Sequence, residues 1–333
     1  MRFAYSLSLL IILSCSERTL ITSSLTDDIS LINEDTSYTD TDTSEYRFQT
    51  YEVCERFEIE LSTDNDKTDF YIPRSEDLFF TLIILLQGSD LPKENYSKIA
   101  NLLCKNGFVV AIPDHYKESF SGRHLYSEEN ATNEIFRAVI GISQNSDSPL
   151  FKKVDTDRLI LFGHSYGAGC GLFMINNECK WPFCSTEYQR IPQLIGGIFY
   201  GVNLKSPYGE NYYEINNSEI PIMLISGEND GAIKYEYAKK SFDYITSPPK
   251  AFVGLKNANH YAINDTNPPP GGDADKNPQS LAQNTGLQII SDISTAFIFE
   301  HILRIEDFKG YFMRVASKFN EFISFEVEEK DVD

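Results

Sequence analysis

Past a polar amino-terminal stretch, apolar residues in this chain come in short unbroken runs separated by segments with a helical repeat. The runs lie at residues 78–86, 108–112, 194–200, 220–225 and 251–255 and are rich in Ile, Leu, Val and Phe. A run with no polar alternation marks a strand buried on both faces of a parallel sheet. Between the runs, residues 96–105, 133–142, 235–242 and 287–303 read as helices, the first stopped by Asn106-Gly107. Strand, helix and strand in that order require a right-handed crossover. Nearer the amino end, residues 56–61 alternate as a half-buried strand, 62–67 form a polar turn, and 70–73 supply the partner strand. The predicted class is α/β: a mostly parallel central sheet flanked by helices, with an amino-terminal antiparallel hairpin and residues 251–255 as the last strand. No internal repeat is present.

The ends of the chain read differently. Met1-Arg2 and the apolar run 3–13 have the basic start and short hydrophobic core of a secretory signal, too short to span a bilayer. The run closes on Leu13-Ser14-Cys15-Ser16, which resembles a bacterial lipoprotein signal that would leave Cys15 as the lipidated first residue. Ordinary cleavage near Ser14 is the alternative. Either way the expectation is export, with the protein secreted or anchored to the bacterial envelope through a lipidated Cys15. Residues 16–45 are a Ser/Thr/Asp tether with no sustained period, 46–325 the folded domain, and 326–333 an acidic tail. The formal net charge of −20 excludes nucleic acid as a partner, since phosphate binding needs clustered Lys and Arg.

Setting Cys15 aside leaves an odd number of cysteines, so at least one is unpaired. Cys179 and Cys184 flank Lys180-Trp181-Pro182-Phe183 and are placed to close a small disulfide loop, whereas Cys170 falls inside an apolar helix as a buried thiol. No cysteine spacing matches a zinc site. The loop lies between one helix and the next strand, which puts it at the far end of the sheet from any site and gives Trp181 no catalytic part.

One stretch carries chemistry. Asp157-Arg158-Leu159-Ile160-Leu161-Phe162 runs into Gly163-His164-Ser165-Tyr166-Gly167 and a small-residue helix, the pattern of a nucleophile elbow. A serine there needs a base and a carboxylate that orients it, each in a loop after a later strand. Ser226-Gly227-Glu228-Asn229-Asp230-Gly231 offers Asp230, in competition with Glu228 and Asp265. Ala258-Asn259-His260-Tyr261 offers His260. Of the other histidines, His164 lies inside the elbow, His115 and His124 precede it, and His301 lies in the last helix. The expected triad is Ser165, Asp230 and His260, with the backbone N–H groups of Tyr166 and Ser89 as oxyanion donors. Loops 116–130, 201–219 and 265–280 border the expected pocket. Tyr208, Tyr212 and Tyr213 in the second are expected to contact substrate, the alternative being an aromatic loop packed on its own domain.

Taken as an ordered set, Gln87-Gly88-Ser89, Asn106-Gly107-Phe108-Val109-Val110, Pro113-Asp114-His115, Gly163-His164-Ser165-Tyr166-Gly167, Gly227-Glu228-Asn229-Asp230 and Ala258-Asn259-His260-Tyr261 resemble the α/β-hydrolase superfamily. Within it they resemble the branch of dienelactone hydrolase-like enzymes, plant chlorophyllases, platelet-activating-factor acetylhydrolases and cutinase-like polyester hydrolases. Residues 296–303 with Glu306-Asp307 are similar to that branch's last helix. The chain departs from the pattern in Gln87, where His is common, and in Ala168, where a third Gly is common. The resemblance implies an α/β-hydrolase fold and a serine hydrolase cleaving carboxylic esters, small-molecule, lipid or polymer, through an acyl-enzyme, with no metal or organic cofactor. An amidase or peptidase with the same triad, or a non-catalytic binding lipoprotein on that scaffold, are the alternatives.

Overall fold

The apolar runs do form strands buried on both faces. In the computed structural model, which describes residues 50–61, 66–75, 79–119 and 122–330, β3 (Phe80–Leu86) is buried along its whole length. Its side chains divide by parity, as period-2 geometry requires. Ile83 and Leu85 enter one core, and Leu82, Ile84 and Leu86 enter the other. β4 (Phe108–Asp114), β7 (Val154–His164), β8 (Leu194–Tyr200), β9 (Ile222–Gly227) and β10 (Lys250–Leu255) follow the same rule. These six strands are parallel, in the order β4-β3-β7-β8-β9-β10. β1 (Cys54–Glu60) and β2 (Lys67–Pro73) form the expected antiparallel hairpin and add it to the β4 edge.

Helices cover both faces. α1 (Ser97–Lys105), α5 (Gln283–Phe297) and α6 (Tyr311–Lys318) close the core that holds Ile83 and Leu85. α2 (Glu129–Ser143), α3 (Tyr166–Asn176) and α4 (Tyr235–Ser241) close the other. The described residues lie within one compact unit, Tyr46–Asp333, and none of their helices is long and apolar enough to cross a membrane. The signal at 1–15, the tether at 16–45 and Cys15 lie outside the described residues. Cys179 and Cys184 are joined and Cys170 is a buried free thiol, as expected, and a second disulfide, Cys54–Cys104, ties the start of β1 to α1.

Two expectations need correction. The strand at 251–255 is not the last, and the acidic tail does not begin at residue 326. β11 (Ile323–Glu328) pairs antiparallel with all of β10, so among the described residues the sheet has nine strands. Ile323, Phe325 and Val327 face the core while Ser324, Glu326 and Glu328 face out, and the buried Lys250 ammonium meets Glu328 at 3.2 Å. The alternating glutamates gave this half-buried strand the composition of a tail. Loop 116–130, in turn, is largely a hairpin, β5 (Tyr116–Ser119) with β6 (Gly122–Leu125). Deleting residues 321–333 should lower the thermal midpoint measured by circular dichroism, because β10 loses a hydrogen-bonded neighbour and the core loses the buried Ile323 side chain; deleting 329–333 alone should leave the melting curve unchanged.

Candidate active site

β7 delivers Ser165 to the carboxyl end of the sheet, and the turn there is tight. Ser165 has φ 52° and ψ −115°, a conformation that costs an L-residue about 1–3 kcal/mol and persists only where its surroundings over-determine it. Those surroundings are two close backbone approaches. A Cβ on Gly163 would lie 2.5 Å from Ala168 Cα, and one on Gly167 would lie 2.3 Å from Leu86 O. Only glycine lets α3 turn back onto β7 and lie against the end of β3. The same approach brings the loop after β3, with Gly88 and Ser89, beside the amino end of α3. Within the described residues neither the Tyr166 nor the Ser89 N–H is engaged in a hydrogen bond. Both are available donors, as an oxyanion site requires.

The three triad residues meet. His260 Nε2 is 2.9 Å from Ser165 Oγ, and His260 Nδ1 is 2.8 Å from Asp230 Oδ2. Asp230 Oδ1 accepts the N–H groups of Ala232 (2.9 Å) and Ile233 (2.7 Å), so both carboxylate oxygens are occupied and the side chain is fully buried. A carboxylate at Nδ1 keeps the proton on that nitrogen and leaves Nε2 to accept from the serine hydroxyl. No family model and no curated protein matches the chain.

The competing residues stand elsewhere. Asp265 caps α1 through Lys98 N at 2.8 Å, and Glu228 is exposed, 3.4 Å from Ser324 Oγ. His115 is held between Asp66 (2.6 Å) and Glu128 (3.1 Å), and His124 is paired with Asp90 (3.0 Å).

Three residues that carry no sequence signal of their own hold the base loop. Tyr200 Oη donates to Asn259 O at 2.6 Å. Asp275 accepts His260 N–H at 2.8 Å through Oδ2 and Gly231 N–H at 3.0 Å through Oδ1, tying the loops of acid and base together. The third is Tyr96. His164 Nε2 lies 3.0 Å from His260 O, which only accepts, so this nitrogen carries the proton. Burial in the apolar core, then the nearby His260, hold the His164 pKa well below the usual range and the ring neutral. Its Nδ1 therefore accepts Tyr96 O–H at 2.9 Å, and Tyr96 Oη accepts Gly88 N–H at 2.8 Å. One buried chain thus links the loop at Gly88 to the backbone of His260.

The tyrosines of loop 201–219 fit the alternative of an aromatic loop packed on its own domain: among the described residues no ring contact or hydrogen bond joins Tyr208, Tyr212 or Tyr213 to Ser165, Asp230 or His260. Tyr208 is 85% exposed, Tyr212 stacks on Tyr244 at 4.8 Å, and Tyr213 meets Phe173 at 5.7 Å beneath the Lys180 ammonium. Loop 201–219 begins against the base: a Cβ on Gly201, at φ 63°, would lie 3.0 Å from the His260 ring. One placement differs from expectation: the Cys179–Cys184 loop is not at the far end of the sheet. It folds back along α3, and Phe183 reaches the Tyr166 ring at 4.8 Å. Its only possible ion cluster among the described residues, Glu129 with Cys179 and Cys184, has its sulfurs joined; a second cluster, Glu300, His301 and Glu329, lies at the opposite end of the sheet.

Buried titratable groups beside the site make stability depend on pH. Burial works against the His115 imidazolium, but Asp66 and Glu128 outweigh it and raise its pKa to about 9. Burial raises the Glu129 carboxyl to about 8, with Glu178 and Glu128 adding to it. The His115 contribution is whole below 6.5 and lost as pH rises through about 9. The folded chain also keeps a proton on Glu129 that the unfolded chain releases near 4.5. Both effects have one sign: the midpoint in scanning calorimetry should fall as pH rises from about 5 to 9, and Glu129→Gln should flatten the part of that fall below about 8. Tyr96→Phe should cost about 2 kcal/mol or more in urea unfolding, since it leaves a buried N–H and a buried imidazole nitrogen unpaired.

Proposed function

We propose that this chain is a serine hydrolase of the α/β-hydrolase superfamily that cleaves carboxylic esters through an acyl-enzyme. The observation that carries the reading is the unbroken line from Ser165 Oγ through His260 to the buried Asp230, set at the amino end of α3. In this reading Ser165 Oγ attacks the ester carbonyl while His260 Nε2 takes its proton. Asp230 holds the imidazole and stabilises the cation that forms. Negative charge on the carbonyl oxygen is met by the N–H groups of Tyr166 and Ser89 and by the positive end of the α3 dipole. His260 then protonates the leaving alcohol, and water cleaves the acyl-enzyme by the same steps in reverse.

The order of the triad along the chain, serine, acid, then histidine, each after a strand of one parallel sheet, supports placement in this superfamily. Two disulfides together with the signal-like start at 1–15 support an exported protein, secreted or held at a bacterial envelope by a lipid on Cys15.

The test is hydrolysis of nitrophenyl acetate, butyrate and octanoate. The chain should turn over at least one of them, and Ser165→Ala and His260→Ala should each lose about a thousand-fold or more in kcat/KM. Asp275→Ala keeps the triad side chains but unties their loops, and kcat should fall about tenfold or more. Wild-type rates equal to those of Ser165→Ala, with Ser165 unlabelled by a fluorophosphonate, would sink the hydrolase reading.

A further inference from the structure

The segment after α3 makes a reversal that its place in the chain does not suggest. Asn177 ends the helix in the left-handed region, at φ 58°, and Glu178 N–H returns to Phe173 O at 3.2 Å. The next residues then climb back along α3. Phe183 lies across the helix backbone at Gly169, where a Cβ would come within 2.7 Å of the ring, and between Phe173 at 5.7 Å and Tyr166 at 4.8 Å. Gly169, which the nucleophile elbow itself does not require, is the residue that lets this ring approach.

Tyr166, which stays partly exposed, is held at three points by this arrangement. Phe183 packs edge-on against its ring, Tyr126 stacks on it at 4.7 Å, and its hydroxyl donates to Pro182 O at 3.2 Å. Two of the three contacts come from the Cys179–Cys184 loop. The third comes from the end of the β5–β6 hairpin, which is itself tied to the oxyanion loop by Asp90 N–H to Leu125 O at 3.0 Å. The loop is in turn immobilised from several directions. Lys180 O accepts the N–H groups of Phe183 and Cys184, Glu129 N–H donates to Phe183 O at 3.1 Å, and Lys117, paired with Glu128, donates to Pro182 O at 3.2 Å. The disulfide closes the turn across a sequence separation of 5, against 50 for Cys54–Cys104, so it restricts the unfolded chain far less than the other. Its larger effect is local.

We propose that the Cys179–Cys184 loop is a specificity element: it fixes the Tyr166 ring as a wall beside Ser165 that selects esters carrying an extended apolar acyl chain. This rests on the hydrolase reading above. An ester carbonyl that reaches both Ser165 Oγ and Tyr166 N–H must pass its substituents beside the side chain of the residue that supplies that N–H. A ring already locked by Phe183, Tyr126 and Pro182 offers apolar area without a further loss of side-chain entropy on binding. Phe183 and the disulfide are positioning groups here, acting through Tyr166.

The experiment compares the full chain with Cys179→Ser/Cys184→Ser, Phe183→Ala, Phe183→Leu and Cys54→Ser/Cys104→Ser on nitrophenyl acetate and octanoate. Opening the loop or removing the Phe183 ring should raise KM for octanoate about fivefold or more relative to acetate, with kcat for octanoate within about twofold. Phe183→Leu should recover part of the octanoate preference. Cys54→Ser/Cys104→Ser should lower the melting midpoint and leave the ratio of the two KM values as in the wild type. The chain's single tryptophan, Trp181, lies in this loop and is 75% exposed, so its emission reports the loop directly. That emission should shift when an octyl fluorophosphonate is attached to Ser165 of the wild type. An active wild type whose KM ratio is unchanged in both Cys179→Ser/Cys184→Ser and Phe183→Ala overturns the proposal alone. A wild type that hydrolyses neither ester and leaves Ser165 unlabelled overturns the hydrolase reading and this proposal with it. Should the serine pair fail to fold, the two Phe183 variants decide.

Discussion

The structure depends on one close approach: the amino end of α3 pressed against the carboxyl end of β3, with Gly167 allowing backbone contact at Leu86. That contact forces Ser165 into its strained turn, and the strain is borne by two cores packed on opposite faces of the sheet. It also decides which groups share the site. The loop leaving β3 starts beside the helix terminus, where Gly167 meets the carbonyls of Leu86 and Gln87. Underneath, the neutral His164 ring connects Gly88, through Tyr96, to the carbonyl of His260. Ser165, the loop at Gly88 and His260 are therefore joined in one hydrogen-bonded body.

Charge secures the same loop from its other side. Gln87 Nε2 donates to Asp114 Oδ1 at 3.0 Å, and Lys93 N–H donates to the same oxygen at 2.8 Å. Lys93 is 2% exposed, with its ammonium near Glu58, Glu94, Asp69 and Asp114. A cation buried this deeply is tolerated because carboxylates surround it, and removing one of them would leave uncompensated charge. Gln87, which departs from the expected histidine, thus ties the ends of β3 and β4 together at the start of the loop that holds Gly88 and Ser89. Across the site, Asp275 does the corresponding work for the loops of Asp230 and His260.

The chain's own pattern determined the elements and the triad. Strands buried on both faces need continuous apolar runs, and a strained serine turn needs Gly163 and Gly167, so both features are visible in the order of residue types. Asp230 and His260 were legible for the same reason, since each follows such a run where the chain must turn. β11 was not, because its glutamates alternate with apolar residues on the solvent face and a composition reading sees only their charge. Which residues hold the site was decided by tertiary structure alone. Tyr96, Asp275 and Phe183 act through partners 68, 15 and 17 positions away, and the path of a loop such as Cys179–Cys184 is set by what it packs on, a contact that local sequence does not encode.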